Sequence, residues 1–308
     1  MIQALEIVAT LILLMAMGYF FAAKNIIDEK VALFISKLIV MFGVPCASIA
    51  NMTSNFTKET LGNAFKGALI TFVTLLVMYF LSYFIMGFLN VERGRRGIMS
   101  VMIAGANTIF IGLPVCQAIF GTDAGFVFVY DLAHSFLFWS LGVYLISSDN
   151  PQNAGFSLKQ IKRVFSPGLI GLIVSVFLII TGIKLPGFLN RTISYLGSLC
   201  TPLAVIYAGY VLHRIGFRNI RISKDMVTVI IGRAVLAPVL FIAVSRLFSI
   251  DPSMAKVFVT VSAMPVMNNT PIVGEEYGSD YGFATQCLVA SIFICLLLLP
   301  LWMMLFEF

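Results

Sequence analysis

The chain has 308 residues, of which 60% are hydrophobic and only 11% charged, and its mean hydropathy is +1.00. A soluble domain carries about 25% charged residues, so this composition cannot clothe a water-exposed surface, and the Gly, Pro and Cys contents suit no collagenous, disordered or disulfide-built chain. The net charge of +6 would fit a nucleic-acid binder, but the placement of the basic residues assigns it to membrane topology, and no nucleic-acid partner is expected.

Taken in chain order, apolar runs of membrane-spanning length fall at Ile2–Ala23, Val31–Met52, Phe65–Leu89, Gly97–Phe120 and Gly125–Ile146. A polar stretch follows over Ser147–Ser166, carrying Lys159, Lys162 and Arg163. Within it Phe156–Phe165 reads as a short amphipathic linker lying on the cytoplasmic surface. The second set is Pro167–Ile183, Ile193–Leu212, Val227–Phe248, Ser253–Val273 and Phe283–Phe306. These are continuous runs, not ten-residue segments of alternating polarity, so the expected fold is an all-α polytopic membrane protein of ten transmembrane helices and not a barrel. The start, Met-Ile-Gln-Ala-Leu-Glu, lacks the basic region of a cleaved signal, so the first run is expected to stay as a span. Cys46, Cys116, Cys200, Cys287 and Cys295 all lie inside apolar runs without ligand spacing and read as small buried hydrophobes; no metal site or cofactor is expected.

Counting residues within a few positions of the span ends, the loops joining spans 1–2, 3–4, 5–6, 7–8 and 9–10 hold 12 Lys/Arg and the remaining loops six. The richer side is expected to be cytoplasmic, in the cell membrane, with both termini outside.

A shift of 157 residues superimposes Pro45 on Pro202, Pro114 on Pro271, Gly121 on Gly278, Asp123 on Asp280, Gly125 on Gly282 and Phe126 on Phe283, without a gap. Six matches in one register point to a duplicated unit. A unit of five spans, an odd number, must place its second copy upside down, so residues 1–146 and 167–308 are expected to be inverted repeats joined by the linker 147–166.

The two matched prolines of spans 4 and 9 sit in poor membrane helix, Ala104-Gly-Ala-Asn-Thr-Ile-Phe-Ile-Gly-Leu-Pro114 and Ala263-Met-Pro-Val-Met-Asn-Asn-Thr-Pro271. Proline removes a backbone donor, glycine loosens the same stretch, and freed polar groups must face protein or water. Broken helices at matching places of inverted halves point to a midplane binding site, whose half-helix N-termini favour a carboxylate. Asn107, Thr108, Asn268, Asn269 and Thr270 would add hydrogen bonds there, beside Pro114 and Pro271.

Asn107-Thr-Ile-Phe-Ile-Gly-Leu-Pro114, followed by Ala118-Ile-Phe-Gly121, resembles the fourth span of the auxin efflux carrier family, which groups plant PIN carriers with bacterial permeases for malate, malonate and similar acids. The resemblance covers the whole chain in length, layout and the proline pair. It implies two inverted five-helix repeats with spans 4 and 9 crossing as broken helices, an architecture shared with bile-acid symporters and sodium/proton antiporters. It further implies a scaffold of spans 1, 2, 6 and 7, a transport domain of spans 3–5 and 8–10, a homodimer, and elevator-like carriage of an organic anion. By position, Asn107, Pro114 and Pro271 match the crossing motif. Asn268-Asn269-Thr270 is more polar than in plant carriers, favouring a smaller, more hydrogen-bonding acid than auxin, and the long cytoplasmic loop of many plant members is missing, as in a prokaryotic permease.

Ionisable residues inside spans are costly and therefore informative. Asp131 lies early in span 5 with His134 one turn on, which reads either as a site for a coupling proton or sodium ion or as a hydrogen-bonded packing pair. Arg233 is too deep in span 8 to snorkel and is expected to meet an anion, either a substrate carboxylate or, structurally, Asp131 or Glu276. Glu275 and Glu276 read as a hydrated mouth, Glu6 as interfacial, and Trp139 and Trp302 as lipid-facing or interface anchors.

The function expected is a secondary active transporter of mono- or dicarboxylates. A sensor using the carrier fold without turnover and a cation/proton antiporter are the alternatives. No Gly-x4-Gly-Lys-[Ser/Thr] loop supports an ATPase, and no HExxH, GxSxG or paired-aspartate motif supports an intramembrane enzyme.

Overall fold

The computed structural model describes residues 2–150, 152, 167–216, 222–248 and 250–305. The expectation for Phe156–Phe165 lies outside these residues, as does the side chain of Trp302. Among the described residues the chain is helical, with no strand. The first half comprises α1 (Ile2–Ala23), α2 (Glu29–Leu38), α3 (Val44–Asn55), α4 (Lys58–Phe88), α5 (Arg93–Ala104), α6 (Leu113–Phe120), α7 (Phe126–Leu137) and α8 (Val143–Ser148). The second comprises α9 (Pro167–Thr181), α10 (Gly187–Ser198), α11 (Cys200–Ile215), α12 (Lys224–Ile231), α13 (Ala237–Leu247), α14 (Pro252–Ser262), α15 (Asn269–Tyr277) and α16 (Tyr281–Leu305). Five helical stretches are by themselves long and apolar enough to cross a bilayer: Glu29–Ser54, Leu61–Phe88, Thr108–Ser148, Gly187–Arg214 and Lys224–Leu247. Shorter apolar helices cover Ala9–Ala23, Pro167–Thr181 and Tyr281–Cys295. The protein is thus a multi-helix membrane protein.

Single π-helical turns interrupt several spans, at Ile39–Gly43, Thr108–Gly112, Phe138–Gly142 and Gly232–Leu236. Three of them lead directly into helices with proline in the first turn, Pro45, Pro114 and Pro238. A proline in mid-helix clashes with the carbonyl four residues back and lacks an N–H, and a widened turn just before it accommodates both defects without ending the helix. This corrects the expectation that the prolines make the breaks. The chain leaves helix at Gly105–Asn107, well before Pro114, and at 263–268, while Pro271 sits in the first turn of α15, where its missing donor costs nothing. Both short helices then end on a glycine with positive φ, Gly121 at 56° and Gly278 at 71°, a conformation that penalises any side chain.

The helices pack most closely through glycine. A Cβ on Gly18 would lie 2.0 Å from the carbonyl oxygen of Ile206, and one on Gly209 would lie 2.0 Å from that of Met15, so α1 and α11 touch backbone to backbone. The helices at a 157-residue offset from these, α9 and α3, also pack closely, with Gly171 on Pro45. Polar ties gather the loops that carry the surplus of basic residues. Arg95 binds Asp225 at 2.8 Å and Asp280 at 2.6 Å, and Arg214 meets Glu29 at 3.0 Å. The Asp149 carboxylate accepts from the backbone N–H groups of Gly97 and Ile98 and from the Ser279 hydroxyl, at 2.6, 2.8 and 2.7 Å. Burial pushes the Asp149 carboxyl above its ordinary range, although these bonds and nearby Arg96 pull the other way. The cysteines are free, and four of the five are buried, with Cys46 half-buried.

Candidate functional site

The two breaks lie against each other. Ala106 and Val266 form an antiparallel bridge, in which the Asn107 N–H donates to the Pro265 carbonyl at 2.8 Å and the Met267 N–H donates to the Gly105 carbonyl at 3.3 Å. Each break therefore pairs part of the backbone that the other leaves open. One further donor in each is met by a side chain: the Ala106 N–H donates to His134 Nε2 at 3.1 Å, and the Val266 N–H to Ser291 Oγ at 3.0 Å. His134 and Ser291 are 157 residues apart, the spacing of the sequence matches, and each accepts from a backbone N–H of one break, although the two donors are 160 residues apart. Because His134 Nε2 accepts, its proton sits on Nδ1, which lies 3.9 Å from Asp131 Oδ1, too far for a hydrogen bond.

Asn107 does two things. Its side-chain oxygen accepts from the Phe110 N–H at 3.2 Å, capping the turn that leads into α6, and its amide donates to the Asn268 side-chain oxygen at 3.0 Å. The Thr108 hydroxyl donates to one oxygen of Asp131, and the Ser135 hydroxyl reaches the other at 3.3 Å. Asn268 stands at the start of α15 without closing onto its first turn.

Arg233, carried on the π turn between α12 and α13, is only 2% exposed. Its guanidinium does not meet Asp131 or Glu276, as the sequence suggested. Nη1 donates to the Ile103 carbonyl at 2.7 Å and Nη2 to the Ser262 carbonyl, the last turns of α5 and α14. Among the described residues no carboxylate lies within ion-pair distance of it.

A cavity of 370 Å³ adjoins the crossing, and Asn107, Thr108, Asp131, Ser135, Asn268 and Asn269 form its polar wall. Val40, Val44, Phe110, Trp139 and Met267 complete it on the apolar side. A second cavity, of 470 Å³, shares Phe110, Asn268 and Asn269 with the first and runs out past Pro271, Tyr207, Arg214 and Glu275. Phe110 packs against Tyr207 in a tilted pair, with ring centroids 5.3 Å apart and planes 35° apart. A third, of 540 Å³, lies between Pro114 and Gln117 of α6 and the helices α1, α3, α10 and α11.

Of the residues singled out from sequence, Asn107, Thr108, Asp131, Asn268 and Asn269 converge on one cavity, and Pro271 lines its neighbour. Pro114 faces the third cavity instead, and Thr270 is fully buried with its hydroxyl unpaired among the described residues. His134 is bound to backbone and is absent from the lining of all three. Glu275 lies at the rim, as a hydrated mouth requires, and Glu6 is exposed. Trp139 is a correction: it lines the cavity, where composition alone suggested lipid contact. Ser135, Phe110 and Ser291 were not anticipated; Ser135 stands four residues after Asp131, and Ser291 is the repeat mate of His134, so spacing held a signal for both.

A family model described as membrane transport protein matches residues 3–160 and 155–303. The uncharacterized transporter MJ1031 of Methanocaldococcus jannaschii is 24% identical over 305 residues, 97% of each chain. An uncharacterized transporter of Methanothermobacter thermautotrophicus is 24% identical over 303 residues, 96% of each chain. The uncharacterized transporter YfdV of Escherichia coli K12 is 21% identical over 302 residues, 95% of this chain and 94% of that one.

Proposed function

We propose that this chain, which belongs to the membrane transport protein (auxin efflux carrier) family and whose relatives are transporters and not enzymes, is a secondary active carrier of small organic anions. The observation that carries the proposal is the convergence of Asn107, Asn268 and Asn269, with the start of α15, on a 370 Å³ cavity. Amide donors and a helix N-terminus favour a carboxylate, and the volume suits a mono- or dicarboxylate. Phe110 and Trp139 give the bound acid an apolar flank.

An architecture of ten spans in two inverted five-helix repeats is supported by three features: helices recur at the 157-residue spacing, the breaks run antiparallel, and α1–α11 is mirrored by α9–α3. An elevator movement, with spans 3–5 and 8–10 sliding on spans 1, 2, 6 and 7, is supported by the grouping of ion pairs. Arg95, Asp225 and Asp280 tie the first set together, while Arg214 and Glu29 tie the second. The family resemblance adds a homodimer, and the surplus of Lys/Arg on one set of loops supports residence in the cell membrane with both termini outside.

Asp131 is the one carboxylate among the lining residues of the 370 Å³ cavity, and it would carry the coupling proton or sodium ion. Its neutralisation by either ion would let an anion enter beside it. Counterflow of labelled small carboxylates in proteoliposomes tests the proposal. Wild type should exchange label, and Asp131→Asn should abolish the dependence of uptake on pH or sodium. Binding without exchange would make the protein a sensor. Flux set by external cation and indifferent to carboxylate would make it an antiporter, the reading that Asp131 alone favours.

A further inference from the structure

We infer that Arg233 is a positioning residue that sets the charge preference of the crossing without touching what binds there; this rests on reading the crossing as an anion site. Three observations converge on it. The guanidinium is buried, and two of its nitrogens hold carbonyls on two different helices, Ile103 at the end of α5 and Ser262 at the end of α14. No carboxylate pairs with it among the described residues. The π turn that carries it is pressed onto α5, for a Cβ on Gly232 would lie 2.9 Å from the Ile103 side chain, so its place is fixed by packing.

A helix C-terminus carries roughly half a negative charge, so two of them meeting at one point amount to about one. Arginine stays protonated in any protein environment, and its fork reaches two acceptors at once. The partner of Arg233 is therefore the pair of helix ends. With those ends neutralised, the positive start of α15 faces the cavity opposed by Asp131 alone among its lining residues. Without Arg233, the negative ends of α5 and α14 would add to Asp131 and turn the crossing towards cations.

The test needs no knowledge of the substrate. In a protein whose native cysteines are replaced, Asn269→Cys places a thiol on the wall shared by two cavities. Its modification rates by an anionic reagent, 2-sulfonatoethyl methanethiosulfonate, and a cationic one, 2-(trimethylammonium)ethyl methanethiosulfonate, give a ratio that reports local potential. Arg233→Gln should shift that ratio towards the cation by about tenfold or more, since one charge acts oppositely on the two reagents. Arg233→Lys, which keeps the charge and loses the fork, should lower the melting temperature while holding the ratio within about threefold of the parent's. A purely structural role would change both rates together, and an unchanged ratio in Arg233→Gln, or a collapsed one in a folded Arg233→Lys, overturns the inference. A parent protein whose thiol already prefers the cation would instead count against the anion site, leaving the change on mutation as the separate measure of Arg233.

Discussion

Asn107→Asp separates the structural part of the crossing from its part in binding. The new side chain keeps an oxygen to accept from the Phe110 N–H, and aspartate caps a helix as well as asparagine does, so that contribution of about 1 kcal/mol survives. The amide donor to Asn268 is lost, about 1 kcal/mol, and a negative charge beside a helix start returns a few tenths. Asn107 is only 3% exposed, so ionising the new carboxyl on the wall it shares with Asp131 adds a desolvation cost, and folding stability should fall by about 1–3 kcal/mol. Binding should change more. A carboxylate about 4 Å from the new charge, at an effective dielectric near 20, is repelled by about 4 kcal/mol, or roughly a thousandfold in affinity. Asn107→Ala loses cap and bond together for about 2 kcal/mol of stability while weakening binding by only roughly tenfold. Isothermal titration of small carboxylates in nanodiscs, beside thermal melting, reads both quantities. An Asn107→Asp variant that binds a carboxylate within about threefold of wild type would refute the placement of the anion at this wall.

Two further outcomes concern the frame around the site. Gly18→Ala puts a methyl 2.0 Å from the Ile206 carbonyl oxygen, a backbone atom that cannot swing aside, so α1 and α11 must separate; overpacking of this kind costs about 1–3 kcal/mol, whereas Gly62→Ala, with nothing within 4 Å, should be neutral or stabilising in the same melting experiment. Asp149 predicts a pH effect. Its carboxyl is held above the ordinary 3.8, so the folded protein keeps the proton more tightly than the unfolded chain, and the stability this contributes is full below 3.8 and lost as pH rises through the raised value. The melting temperature of wild type should fall across that window relative to Asp149→Asn, and parallel profiles would reject the assignment.

The sequence was most legible where one physical rule acts alone. The apolar runs are the clearest case: an all-helical membrane chain was expected, and helices long and apolar enough to cross a bilayer are present, because burial in lipid leaves few alternatives. Break position was read less well. Proline in a span points to a fracture at the proline itself, but a π turn lets the helix absorb Pro114, and the chain opens at Gly105–Asn107, where a backbone partner across the molecule is waiting. The role of Arg233 was illegible for a related reason. A search for its counter-ion scans carboxylates, and the groups it meets are backbone carbonyls, which every residue has and no composition reveals. Trp139 was misjudged because an aromatic residue in a span looks the same in sequence whether it faces lipid or a cavity.

For His134, the 157-residue register read in the sequence bears on a role that chemistry alone leaves open. A buried histidine one turn from an aspartate invites a relay, and Asp131 does stand on the cavity wall. Yet the repeat mate of Asp131 is Leu288, whereas the mate of His134 is Ser291, and both members of that second pair accept a backbone N–H from a break. A serine cannot titrate in the range where histidine does, so what the two positions share is the acceptor and not the proton. His134 spends its acceptor on the Ala106 N–H, which fixes its tautomer, whereas Asp131 is bonded to Thr108 in the turn just after the break and has Leu288 at the matching position. His134→Gln, which can still accept from Ala106, should therefore preserve the pH or sodium dependence of uptake that Asp131→Asn removes.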